Sequence, residues 1–158
     1  MQNKLKWTAI AAAVVFAGLQ FTSPVPSNPP IDQALTLEST SFVPPEVSAI
    51  FTRSCNDCHS SRTDWRWYSD VAPISNLTVA HVNAGRSELN FSEWGKYGKR
   101  MKETRLTAIC RLVEEGAMPL GSYVLLHRNA PLSPSEVESV CRWTEEEAKH
   151  SKTVNRLD

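Results

Sequence analysis

The chain has 158 residues, of which 41 % are hydrophobic, with 17 basic residues balanced by 17 acidic ones. That apolar fraction supports a packed core and excludes global disorder, and the balanced charge argues against a protein that holds nucleic acid through a basic face. No repeat period and no run of 18 or more apolar residues is present, which excludes solenoids and multi-span membrane proteins.

Lys4 and Lys6 precede an uncharged stretch from Trp7 to Phe21. A basic start followed by about 7–15 apolar residues is the layout of an export signal. Residues 1–22 are therefore expected to be a membrane anchor or a removed signal peptide, and either would carry the rest of the chain across a membrane. A span needs roughly 17–25 apolar residues, so the stretch is short for an anchor unless Leu5 and Thr22 join it. Residues 22–46 then hold six of the ten prolines. Proline fixes φ and lacks a donor, so an extended linker is expected over about 23–41, with the folded domain starting near Phe42 and running to about residue 150. Residues 151–158 read as a polar tail.

Pro44 and Pro45 suit a helix start, and Val47, Ile50, Phe51 and Ser54 follow at helical spacing into Cys55. A second helix is expected over Ser75–Gly85, with Leu77, Ala80, His81 and Ala84 on one side and the glycine as its stop. A third runs from Arg100 to Glu115, burying Leu106, Ile109, Cys110 and Val113, and ends at Gly116. Ser122–His127 reads as a short strand or turn. The last helix opens on Ser133-Pro134-Ser135-Glu136, a capping box with proline at the first helical position. No period-2 alternation persists, so the fold class is all-α with long loops.

Cys55-Asn56-Asp57-Cys58-His59 is a C-x-x-C-H pentapeptide, the attachment signature of c-type haem. Two thiols at this spacing reach the two vinyl groups on one porphyrin edge, and the following imidazole comes to lie beneath the iron. A zinc site would need a second ligand pair at proper spacing, and a redox dithiol would follow a strand in a βαβ unit. The chain has neither. Candidates for the opposite axial position are Met118, His81, His127 and His150. Met118 is favoured. It follows the Gly116 helix stop, is held by Pro119, and lies 59 residues beyond His59, enough chain to wrap the ring. A thioether ligand suits electron transfer by raising the potential. Trp65, Trp67, Tyr68, Phe91 and Trp94 are expected to build the pocket, with Arg86 as a charge partner for the propionates. Cys110 and Cys141 remain after attachment. Both lie on apolar helix faces in a chain bound for an oxidising compartment, so a disulfide between them is expected.

The run CNDCHSSRTDWRWYSDVAPISNLTVAHVNAGRSELNFSEW, with MPLGSYVLLHRNAPLSPSEVESVCRW downstream and NPPIDQALTLE and VPPEV upstream, resembles the bacterial haem-binding domain family of small monohaem c-type cytochromes. The resemblance covers about residues 28–147. Arg66 stands where the family's W-P-W-Y-S motif has proline. The resemblance implies cytochrome c-like short helices around one haem c on Cys55 and Cys58, with His59 and Met118 as axial ligands. The expected function is a non-enzymatic electron carrier between redox proteins on the periplasmic side of the membrane. The rival expectation is a haem enzyme or gas sensor with one open axial site.

Overall fold

The structure, a computed structural model, describes residues 2–154, and every regular element among them is helical. Helix α1 (Gln2–Gln20) buries none of its residues. Among the described residues no helix is long and apolar enough to cross a membrane. The end of α1 is nevertheless tied to the body. Gln20 Nε2 donates to the Ala72 carbonyl at 3.3 Å, and the Ala72 amide donates to Gln20 Oε1 at 3.0 Å.

The expected linker is not extended throughout. Its prolines stop at Pro30 and resume at Pro44, and the interval between them is free to coil. Asp32 accepts from the Ala34 amide and starts a 3₁₀ turn over Gln33–Leu35, and helix α2 (Leu37–Thr40) follows. Leu37 is 1 % exposed and belongs to the core, whereas Phe42, the expected domain start, is 80 % exposed. The packed part of the chain thus reaches back beyond Phe42.

Helix α3 (Pro45–Ser54) carries proline at its first position and buries Val47, Ile50, Phe51 and Ser54, the stripe read from the spacing. It runs directly into α4 (Asn56–His59), one turn of helix. After a 3₁₀ turn at Trp67–Asp70 comes α5 (Ile74–Glu88). This helix passes through Gly85 rather than stopping there, because Gly85 serves a close approach described below. The expected apolar side of α5 does not face the core either: Leu77 is exposed, and the residues buried on this helix are Ser75 and Val82.

A 3₁₀ segment over Phe91–Lys96 leads to α6 (Lys99–Glu114). Gly116 takes φ +64°, and the amides of Ala117 and Met118 both donate to the Leu112 carbonyl. This left-handed ending satisfies carbonyls that the last helical turn would leave open. Of Ser122–His127, expected as strand or turn, all but His127 lie in a helix, α7 (Gly121–Leu126), and His127 caps its end. No strand exists among the described residues to pair with it, so its backbone groups bond locally, starting with the Tyr123 and Val124 amides on the Leu120 carbonyl.

Helix α8 (Pro134–Val154) starts with the expected capping box: the Ser133 amide donates to Glu136 Oε2 at 2.8 Å, and the Glu136 amide to Ser133 Oγ at 3.3 Å. The expected tail is helical as far as Val154, and residues 155–158 lie outside the described residues. Helices α6 and α8 lie side by side and are joined by a Cys110–Cys141 disulfide with an S–S distance of 2.01 Å. Between them and α3 sits the core, where Phe51 stacks on Phe91 at 4.9 Å and meets the edge of Trp143 at 5.2 Å.

Candidate functional site

The one-turn helix α4 is closed by the Cys55 carbonyl, which accepts from the amides of Cys58 (3.1 Å) and His59 (2.9 Å). This turn gathers both thiols and the imidazole at the wall of one cavity of about 420 Å³. Both cysteines are unpaired. Burial, with the neighbouring Cys58 charge second, pushes the Cys55 thiol up to about 12. Burial, with Asp57 second, pushes Cys58 up to about 11. Both are therefore protonated thiols at neutral pH. A redox dithiol depends on the opposite shift, toward thiolate.

His59 is held from one side. Its Nδ1 lies 3.1 Å from the Gly85 carbonyl and 3.1 Å from the Leu89 carbonyl. Both partners are acceptors, so Nδ1 carries the proton and Nε2 is left with a free lone pair. Burial, the largest influence, lowers the His59 pKa; the bonds to Leu89 and Gly85 oppose it, the charge of Arg105 adds to it, and the net shift is downward. The neutral imidazole is the form that ligates a metal, and an anchored Nδ1–H is how proteins orient such a ring.

Gly85 makes this arrangement possible. A Cβ at this position would stand 2.5 Å from the Cys58 carbonyl oxygen and 3.1 Å from the Cys58 Cβ. With hydrogen alone there, α5 lies directly against α4 and places its carbonyls at His59.

Helix α6 and the loop that follows it also line the cavity, through Leu112 and Met118, as do Phe51 and Phe91. The structure places Cys55, Cys58, His59 and Met118 at one largely apolar cavity. His81 borders it as well. His127 does not, and both its nitrogens are engaged. Its Nδ1 donates to the Tyr123 carbonyl at 3.0 Å, and its Nε2 accepts from the Tyr68 hydroxyl at 3.1 Å. His150 is exposed on α8 and borders a different cavity, beside Phe42 and Trp143.

The other expected pocket residues stand elsewhere. Trp94 is fully buried in the core, with its indole N–H donating to Ser41 Oγ at 3.2 Å. Trp67 is 77 % exposed. Tyr68 lines a smaller neighbouring cavity of about 80 Å³ that it shares with Asp57, Cys58 and His127. Arg86 is a clamp: it donates to the carbonyls of Ser60 (2.8 Å) and Ser27 (3.0 Å), to Asn28 Oδ1 (2.7 Å) and to Thr63 Oγ1 (2.8 Å). It thereby pins the chain on both sides of the helical segment 33–59 and faces no free cavity wall.

Three residues of the site escaped the sequence reading. Gly85 looked like a helix stop. Arg105 lies on α6 beside the buried Leu106 and lines the cavity. Tyr123 also lines it, and its hydroxyl donates to Asp57 Oδ2 at 2.8 Å, tying α7 to the pentapeptide. For Tyr123 a signal existed in the unassigned run Ser122–His127, which carries an aromatic and a histidine at i and i+4.

Compared with known families, the chain matches the one described as haem-binding domain over residues 14–146. No curated protein and no solved structure matches it.

Proposed function

The chain belongs to the haem-binding domain family, and from that premise we propose that it is a monohaem c-type cytochrome carrying single electrons between redox proteins outside the cytoplasm. The observation that carries the proposal is the donor set at one cavity. Two protonated thiols, an imidazole with its Nδ1–H already spent on carbonyls, and a thioether all border the same apolar space. These residues fit haem c. Cys55 and Cys58 would hold the group by thioethers, each thiol adding S and H across one vinyl C=C with no oxidant needed, and His59 Nε2 and Met118 Sδ would be the donors to its iron.

Bound there, haem supplies an iron that alternates between the ferric and ferrous states. The chain's own part is to hold both axial donors, exclude water with Phe51, Phe91 and Leu112, and keep the His59 tautomer constant through the carbonyls of Gly85 and Leu89. The Met118 side chain at the cavity wall favours the carrier over a haem enzyme or gas sensor, either of which needs an open position. The basic-then-apolar segment at residues 1–22 is read as the export signal, and the Cys110–Cys141 disulfide supports an oxidising compartment. The partners are redox proteins, with a membrane reached through the N-terminal segment.

Two measurements test the proposal. Acidic organic solvent applied to the denatured protein should leave haem on the chain, and haem in the extract would sink covalent attachment. An absorption spectrum should show low-spin iron in both oxidation states. High-spin iron that readily binds carbon monoxide would favour the rival.

A further inference from the structure

The cavity lining is mostly apolar, and its charged side chains are Glu88, Arg105 and Arg111, the last of them exposed and paired with Glu115. Arg105 borders the cavity from α6, and Glu88 borders it from α5. Arg105 Nη1 donates to Glu88 Oε2 at 3.0 Å. The two side chains are unequally placed, Arg105 being 24 % exposed and Glu88 75 %. The carboxylate is thus on the water side of the pair and the guanidinium on the protein side. Arg105 Nε is buried and has no hydrogen-bond acceptor among the described residues. A buried donor left unpaired is costly, and more so on a charged group. The outlying Glu88 satisfies another nitrogen and does not reach this one.

The contrast with Arg86 is instructive. That guanidinium meets four protein acceptors around its fork and has no demand left for a ligand. Arg105 has both the demand and the position. A guanidinium fork with an unmet N–H at the rim of an apolar cavity suits a ligand that is apolar in body and carries a carboxylate at its edge.

We propose that Arg105 anchors a propionate of the bound haem and holds the reduction potential up. This rests on the haem-binding reading and deepens it. The carboxylate supplies the acceptor that Arg105 Nε lacks. The guanidinium also adds a fixed positive charge at the wall of the cavity that His59 lines. A positive charge there disfavours the ferric state, which carries one more positive charge than the ferrous state, so the potential rises.

The test uses the full chain matured with its haem. Arg105→Gln should keep haem covalently attached, show a lower midpoint potential, and shift the propionate carboxylate bands in the infrared difference spectrum between the two redox states. Arg105→Lys should recover most of the potential, because the charge is retained, while the bands stay shifted because the fork is lost. Arg142→Gln, which removes the same charge from an exposed site on α8, should change neither. An Arg105→Gln protein with wild-type potential and bands overturns the inference. If that variant does not accumulate, wild-type propionate bands in Arg105→Lys overturn it equally. A wild-type chain without covalent haem would instead sink the cytochrome reading itself, so the two failures are distinguishable.

Discussion

Gly85 and Cys58 lie so close that a methyl group on residue 85 would stand 2.5 Å from the Cys58 carbonyl oxygen. The two residues are 27 positions apart in sequence. Their approach is what lets the carbonyls of Gly85 and Leu89 hold His59 Nδ1.

Gly85→Ala is therefore expected to destabilise the protein, although alanine is the better helix former. The propensity gain is up to about 1 kcal/mol. Forcing a methyl into a packed contact costs about 1–3 kcal/mol, and a backbone carbonyl gives way less easily than a side-chain tip. The net loss should be about 1–2 kcal/mol, read from urea midpoints. The reduction potential should change as well, because the His59 hydrogen bonds must lengthen. An unchanged midpoint would show that α5 can move away from α4 without cost.

Met118→Ala should leave haem attached, since the thioethers proposed at Cys55 and Cys58 would not involve the sixth ligand. The potential should fall, and the vacated position should admit carbon monoxide. A spectrum that stays low-spin would point to His81, which borders the same cavity, and not to His127, whose nitrogens are both occupied. His81→Ala would then be the variant that opens the site.

The Cys110–Cys141 disulfide closes a loop of 31 residues between α6 and α8. In the chain-entropy account a loop of this length stabilises by about 3–4 kcal/mol. The Cys110→Ser, Cys141→Ser double variant should lose that amount in urea denaturation. Thiol titration of unfolded, unreduced holoprotein should find no free thiol. Two free thiols would contradict both the bridge and the oxidising compartment.

The Glu136 carboxyl should shape acid stability. The hydrogen bond from Arg53 first, and then the Ser133 amide, holds it down from 4.5 to about 2. A pKa depressed by folding means that this contribution is present in full above pH 4.5 and is lost as pH falls toward 2. Glu136→Gln keeps an oxygen for the Ser133 amide and removes the charge, so it should cost about 0.5–1 kcal/mol at neutral pH, in line with a partly exposed ion pair. The gap between variant and wild type should close as pH approaches 2, measured by urea midpoints across that range. A gap independent of pH would mean that the ion pair contributes nothing.

Much of this protein was legible without coordinates, because the features concerned are local or periodic. The C-x-x-C-H pentapeptide puts two thiols and an imidazole into five consecutive residues, and one helical turn brings them to one cavity. The stripe Val47, Ile50, Phe51, Ser54 and the buried face Leu106, Ile109, Val113 follow from the 3.6-residue period, which a helix imposes on any chain packed on one side. The capping box at Ser133 and Glu136 is a bond between residues three apart. Even the Cys110–Cys141 bridge followed from two cysteines placed on apolar helix faces. Tertiary structure alone decided the rest. Whether Gly85 stops a helix or admits a neighbour depends on what packs against it, and that neighbour is Cys58. Whether Trp94 covers a cavity or fills the core depends on how the 91–96 turn meets the 33–40 segment, which no periodicity records. Arg86 and Arg105 are alike as residue types. They part company because the fold surrounds one with acceptors and leaves the other a buried nitrogen without any among the described residues. Hydrogen bonding along a helix is written into neighbouring residues, whereas the environment of a side chain is composed by segments that meet only when the chain has folded.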